Sequence, residues 1–175
     1  MLRSLVLLPV ALVALVGLTV AAGASNPAKG ADIYGVGGGS FADKFANFDL
    51  SMHTGPNGDF GHVHLKRDAT LAPIDLYVDV SCVSVPMPPT AAAAPIPEVA
   101  YSGRVSSVSP VPNFLGLQPG NAVSGYVSDG GNPSTEVPVD SVSLITEAVL
   151  PDCKIGVYRP PANNVTSGNI NIKLG

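Results

Sequence analysis

The chain has 175 residues, of which only 13% are charged, set against 19 glycines and 17 prolines; its 9 basic and 13 acidic side chains give a formal charge of −4. So few Lys, Arg and Glu exclude long solvent-facing helices, and the scatter of Lys44, Lys66, Arg67, Arg104, Lys154 and Arg159 lacks the electrostatic footprint of a nucleic-acid binder. The balance of Gly, Pro, Ser, Thr and Asn suits turn-rich β structure in a single domain.

The N-terminus reads as a secretory signal peptide over residues 1–24. Arg3 supplies the positive start, Leu5 to Val20 is an almost unbroken apolar run, and Ala22-Gly23-Ala24 offers the small residues of a cleavage site after Ala24. An uncleaved membrane anchor is the alternative for an apolar run of this length, and Pro9, Gly17 and the Ala-Gly-Ala exit favour cleavage. Export then places the rest of the chain in an oxidising extracytoplasmic space, with no membrane span after cleavage. Removing 24 of 175 residues leaves 151, and losing Arg3 leaves 8 basic against 13 acidic residues, a formal charge of −5. Cys82 and Cys153 are the only cysteines, an even count in a secreted chain, and are expected to form one disulfide.

Residues 25–40, ending in Gly35-Val36-Gly37-Gly38-Gly39-Ser40, read as a flexible glycine-rich leader; no Lys, strand and helix flank them as a phosphate-binding loop would need. The β domain is expected over 41–175. From Ala46, apolar Phe48, Leu50 and Met52 alternate with Asn47, Asp49, Ser51 and His53, a half-buried strand. Turn chemistry over Thr54 to Asp59 leads to Gly61, Val63 and Leu65 alternating with His62, His64 and Lys66, which completes a hairpin. A third strand sets Ile74, Leu76, Val78, Val80 and Cys82 on one face and Asp75, Tyr77, Asp79 and Ser81 on the other, which would put Cys82 on the core side.

The stretch 86–97, PMPPTAAAAPIP, cannot pair into a sheet because its prolines lock φ and remove donors, so it is expected as an exposed loop. Val99 to Val105, Val123 to Val127, Val142 with Leu144, Ile155 with Val157, and Ile170 to Leu174 supply further strands, and Asp129-Gly130-Gly131-Asn132-Pro133 is a strong turn. Asn164-Val165-Thr166 is a formal glycosylation sequon in what reads as a polar loop. About eight short strands without an amphipathic helix predict an all-β fold, an antiparallel sandwich or barrel.

The order of these motifs resembles a group of small secreted bacterial all-β proteins of unassigned activity. The resemblance rests on the glycine-rich leader ending in Gly39-Ser40-Phe41, the Gly61-His62-Val63 strand, Asp79 to Val85 around Cys82, Ala100 to Val105, Asp129-Gly130-Gly131 with Asp140, and the terminal Gly168-Asn169-Ile170-Asn171-Ile172. In that group a short turn follows the cysteine strand, whereas here the 86–97 insertion intervenes. The resemblance implies fold and export, and transfers no catalytic residue.

His53, His62 and His64 all fall on the polar face of the first hairpin. A His-x-His pair sets two imidazoles about 7 Å apart, close enough to share one zinc or copper ion, with Asp49 and Asp75 or Asp79 as completing ligands. The competing reading is a solvated sheet face, where alternation alone deposits His, Asp, Ser and Lys. Asp129, Asn132, Glu136 and Asp140 offer oxygens for calcium but lack EF-hand order. With no Gly-x-Ser-x-Gly elbow, no Trp and no free cysteine expected, nothing singles out a catalytic centre. The expected function is therefore a non-catalytic exported binding or structural module for an unknown surface or extracellular ligand. The alternative is a small metal-binding protein or metal-dependent enzyme on the histidine face; a third possibility is a subunit that adds strands to a partner through its terminal strand.

Overall fold

A computed structural model of the chain describes residues 33–41, 46–86, 96–131, 140–155 and 162–174. Among the described residues there are nine strands: β1 (Ile33–Phe41), β2 (Ala46–His53), β3 (Phe60–Arg67), β4 (Ile74–Ser84), β5 (Glu98–Ser109), β6 (Ala122–Ser128), β7 (Ser141–Val142), β8 (Ile145–Glu147) and β9 (Asn163–Leu174). They pair antiparallel in the order β5-β4-β3-β2-β1-β9-β7-β6, and β5 pairs again with β6, so eight strands close into a barrel; β8 adds to β6 as an extra strand. Of the two architectures the alternation allows, the chain takes the barrel.

Closure follows from which rows are apolar. Phe48, Leu50 and Met52 of β2, Val63 of β3, Ile74, Leu76, Val78 and Val80 of β4, Val99, Tyr101 and Val105 of β5, and Ile170 and Ile172 of β9 are all buried in one core. Each such side chain, fully removed from water, is worth about 1.5–3 kcal/mol, which is why the period-two rows dictate the facing. Outside lie Asn47, Asp49, Ser51, His62, Lys66, Asp75 and Asp79. Apolar inside and polar outside is the reverse of a membrane-spanning barrel, whose apolar band faces lipid. Among the described residues no helix is long and apolar enough to cross a membrane.

The glycine-rich stretch corrects the expectation of a flexible leader: from Ile33 on it is a strand, paired to β2 on one side and β9 on the other. The domain therefore begins by Ile33 and not at Phe41. Gly35, Gly37 and Gly39 lie opposite Met52, Leu50 and Phe48 on one flank, and Gly35 and Gly37 lie opposite Ile172 and Ile170 on the other. At Gly37 the neighbours leave no room for a side chain, since a Cβ would sit 2.8 Å from Ile170 Cγ1, and at Gly39 it would meet the β9 backbone; at Gly35 it would only touch Ile172 Cγ1, at 3.8 Å. Glycine here is a packing residue.

β9 pairs with β1 along most of its length but meets β7 only at Asn163 and Asn164. Beyond that, two N–H groups of its second edge are taken by carboxylates. Asp140 Oδ2 accepts from Ile170 N (2.6 Å) and Asp129 Oδ2 from Ile172 N (2.9 Å), while their other oxygens accept from Gly130 N (2.9 Å) and Gly131 N (3.1 Å). Two aspartates thus stand in for a missing stretch of strand at the seam of the barrel. Asp129 and Asp140, weighed above as calcium ligands, thus give all four oxygens to backbone donors (Asn132 and Glu136 lie outside the described residues), and two of the outward N–H groups of the terminal strand, weighed as an edge for a partner, are already taken. Burial pushes the Asp140 carboxyl above the usual carboxylate range, with the charge of Asp129 adding to the rise and the backbone donors opposing it. Asp140→Asn keeps the volume but offers one acceptor oxygen and turns an NH2 toward a second donor. It is expected to lower stability in urea by about 2 kcal/mol, whereas a loss below a few tenths would mean that the carboxylate does not hold the seam.

Two further expectations change. The sequon Asn164-Val165-Thr166 lies within β9, not in a loop. Ile155 lies in a turn and is exposed, not in a strand; Val157 lies outside the described residues. Residues 1–24 and 87–95 likewise lie outside them, but β4 and β5 on either side of the Pro/Ala stretch pair directly, so the insertion leaves that register in place.

The disulfide Cys82–Cys153 is formed, with Cα atoms 5.8 Å apart, but Cys82 does not face the core. A bulge between Val80 and Cys82 shifts the phase of β4, burying Val83 and releasing Cys82 to the outer side. There it ties down the segment after β8. Ser84 Oγ donates to Cys153 O and Ser102 Oγ to Pro151 O, both at 2.7 Å, and Ser124 Oγ donates to Glu147 Oε1 at 2.6 Å. These serines are buried although they face out, because the tethered segment covers them.

Candidate functional site

Register decides which polar side chains meet on the outer face. Across β2 and β3, Asp49 lies opposite His64, Ser51 opposite His62 and His53 opposite Phe60; across β3 and β4, His62 lies opposite Asp79 and His64 opposite Tyr77. β1 contributes Tyr34 beside His53. The three histidines therefore share a face, as their spacing predicts, but they do not converge.

His62 Nε2 donates to Asp49 Oδ1 (3.0 Å), and His64 Nδ1 to Asp49 Oδ2 (2.7 Å), so one carboxylate clamps both rings of the His-x-His pair. The second nitrogen of His64, Nε2, lies 2.9 Å from Asp75 Oδ1. Asp49 and Asp75 thus bracket the His64 ring, and the three side chains link β2, β3 and β4 on the outer face. Tyr77 stacks flat on the same ring, centroids 3.8 Å apart. Asp79, the alternative to Asp75 as a completing ligand, faces His62 and Arg104 in register, and it is Asp75 that reaches a ring.

His53 belongs to a second group. Its ring lies between Tyr34 (4.8 Å) and Phe60 (5.0 Å, stacked), and its Nε2 shares a 2.8 Å hydrogen bond with Ser51 Oγ. A Ser–His contact raises the possibility of a nucleophile and its base, but Nδ1 is buried without a partner. With no acid to hold Nδ1–H, the cheaper tautomer carries the proton on Nε2 and leaves a bare lone pair inside; that tautomer gives Ser51 a proton instead of taking one. Ser51 is thus a support for the ring.

Burial between the two aromatic rings holds His53 below the ordinary histidine value of 6.5, and the charge of His62 lowers it further. The folded value being the lower one, the unfolded chain takes up the proton first. The neutral ring therefore contributes its full stability above 6.5, and this is lost as pH falls below it. In an NMR titration the His53 ring protons are expected to move at a pH below 6.5; a midpoint at or above 6.5 would contradict the enclosed ring.

His62 and His64 are bound to Asp49 while His53 is turned to Ser51, so the three rings of the alternative reading, a zinc or copper centre, each have a protein partner of their own. Among the described residues no group of three or more His, Cys, Asp and Glu side chains is arranged to hold a metal ion. What the face does present is a polar centre of His62, Asp49 and Asp75 flanked by half-exposed rings, Phe60 on one side and Tyr77 on the other. These rings complete the face and escaped notice as site residues, although the outward phase of Tyr77, and of Phe60 in step with His62 and His64, placed them there. Around the disulfide, a shallow, open depression of about 470 Å³ lies among Asp59, Ser81, Cys82, Ser102, Pro151 and Lys154. There Asp59 already accepts from Val83 N at 2.9 Å and pairs with Lys154 at 3.4 Å, so its polar groups serve the bulge. Comparison with protein-family models, curated proteins and solved structures finds no match to this chain.

Proposed function

We propose that the protein is an exported, non-catalytic β-domain, of a kind with the small secreted bacterial β-proteins it resembles, and that it acts as a binding module at the cell surface or in the medium. Its recognition surface is the outer face of β1 to β4. One observation carries this reading: the barrel interior is packed with aliphatic and aromatic side chains, whereas the hydrogen-bonding groups arranged for contact, His62 and Asp49 between the rings of Phe60 and Tyr77, lie outside on a rigid sheet. Exposed rings beside fixed donors and acceptors are the usual material of a recognition surface, and mounting them on strands keeps them in place. The disulfide is compatible with an extracellular location.

The test has two parts. Expressed at full length in a secreting bacterial host, the chain should leave the cytosol with its cysteines blocked to thiol reagents after denaturation; retention in the cytosol with two free thiols would refute export. The exported form, fluorescently labelled, should then bind intact cells saturably, and a Phe60→Ser, Tyr77→Ser, Asp49→Asn variant should lose that binding by tenfold or more. Equal binding by both proteins would move recognition off this face.

A further inference from the structure

One end of the barrel carries apolar side chains that the fold does not use. Asp75 pairs with Ser109, so the β3–β4 loop and the β5–β6 loop leave adjacent strand ends. Leu71 on the first is 97% exposed, and Val111, Phe114 and Leu115 on the second are 55%, 57% and 42% exposed. The second loop is rigidly built. Asn113 Oδ1 accepts from Leu115 N and Leu117 N, both at 3.1 Å, and its Nδ2 donates to Leu117 O at 2.8 Å. Leu117 is buried in the barrel core, and Gly120 N and Asn121 O bond back to Val105. Phe114 and Leu115 are thus exposed on a loop that these bonds pin in place, which lowers the ordering cost of binding.

We infer that this tip inserts into the surface layer of a lipid bilayer. The four side chains expose on the order of 400 Å² of apolar area, about half of what one partner supplies in a stable protein interface. They also stand on two separate loops, so a protein partner would need a socket matched to both. A bilayer sets no such requirement and takes apolar side chains into its acyl boundary one by one. Behind the tip, Lys66 pairs with Asp68 at 3.4 Å and Arg67 donates to Ala72 O, so the nearest charges are mixed and add little repulsion from anionic headgroups. The inference goes beyond the recognition surface proposed above, which lies on the barrel wall, and does not depend on it.

The chain has no tryptophan, so Phe114→Trp places a single indole at the tip. The experiment uses the chain from Ser25 onward, which keeps every described residue and removes the apolar N-terminal run. With vesicles of phosphatidylcholine and phosphatidylglycerol, the F114W emission should move to shorter wavelength and the protein should float with the lipid. Adding Leu71→Ser, Val111→Ser and Leu115→Ser should abolish both effects while leaving the far-ultraviolet circular dichroism unchanged. Phe60→Trp, on the barrel wall, should show no shift. Unchanged F114W emission with the protein left at the bottom of the gradient would overturn the inference, as would binding that survives the triple change. So would a concentration-dependent dimer, lost in the triple variant, that ignores the vesicles, because it would make the tip a protein contact.

Discussion

Replacing Gly39 by alanine is expected to cost about 3 kcal/mol or more, or to prevent folding outright, while the same change one residue earlier, Gly38→Ala, should be close to neutral. Gly39 faces the barrel interior, and a Cβ there would fall on the carbonyl oxygen of Ser167, with Gly168 Cα at 2.9 Å. Both obstacles are backbone atoms of β9, so no rotamer change relieves the clash and the strands must part. Gly38 faces out, and its Cβ would meet Phe48 O at 3.4 Å and Asp49 Cβ at 3.8 Å, which are ordinary contacts. Urea unfolding of the two variants beside the parent makes the comparison. A flexible leader would tolerate both changes alike, so equal, small effects would remove β1 from the barrel.

Loss of the disulfide is expected to be the other large effect. The pair Cys82→Ala, Cys153→Ala opens a cross-link between residues 71 apart, and a loop of that size corresponds to about 4 kcal/mol in the chain-entropy picture. The local contacts add little to this, because Ser84 and Ser102, once uncovered, exchange their carbonyl partners for water. The loss should accordingly appear as a lower urea midpoint with a similar slope. In hydrogen exchange, protection should fall in residues 148–155 and stay high on β2 and β3, which are held by their own ladders. A variant that unfolds at the same urea concentration as the parent would show the cross-link to be dispensable.

Much of the barrel was legible because β2, β3 and β4 alternate strictly: Phe48, Leu50, Met52, Val63, Leu76 and Val78 point inward as their spacing predicts. β1 was not legible, for the physical reason that its inward positions are glycines. Hydrophobic alternation reports side chains, and here the space is filled by Ile170, Ile172 and β2 instead. The facing of Cys82 failed because alternation carries through a strand until a bulge resets it, and a bulge leaves no mark in a run such as Val80-Ser81-Cys82-Val83. Asp129 and Asp140 look like ion ligands in sequence for a similar reason: carboxylates suited to calcium are equally suited to unpaired N–H groups, and only the β9 seam distinguishes the uses.

The histidine face shows the same division. That His53, His62 and His64 share a side follows from period two alone. Which of them touch depends on cross-strand register, which brings Asp49 between His62 and His64 and leaves His53 beside Phe60. The recognition surface is thus a product of register more than of composition, and it inherits its rigidity from the closed ring beneath it.

That ring depends on β1 lying between β2 and β9, and inter-strand proton contacts report on it directly. Because Ile170 N and Ile172 N turn to the aspartates, the pairs Gly37–Ile170 and Gly35–Ile172 are of the kind that exchange no hydrogen bonds and bring their Hα atoms close. NMR of the folded protein should therefore show strong Hα–Hα contacts for both pairs, with slowly exchanging amides in the glycine run. Absence of those contacts, with the glycine amides exchanging as fast as in an unstructured peptide, would contradict the closed barrel and everything placed on its outer face.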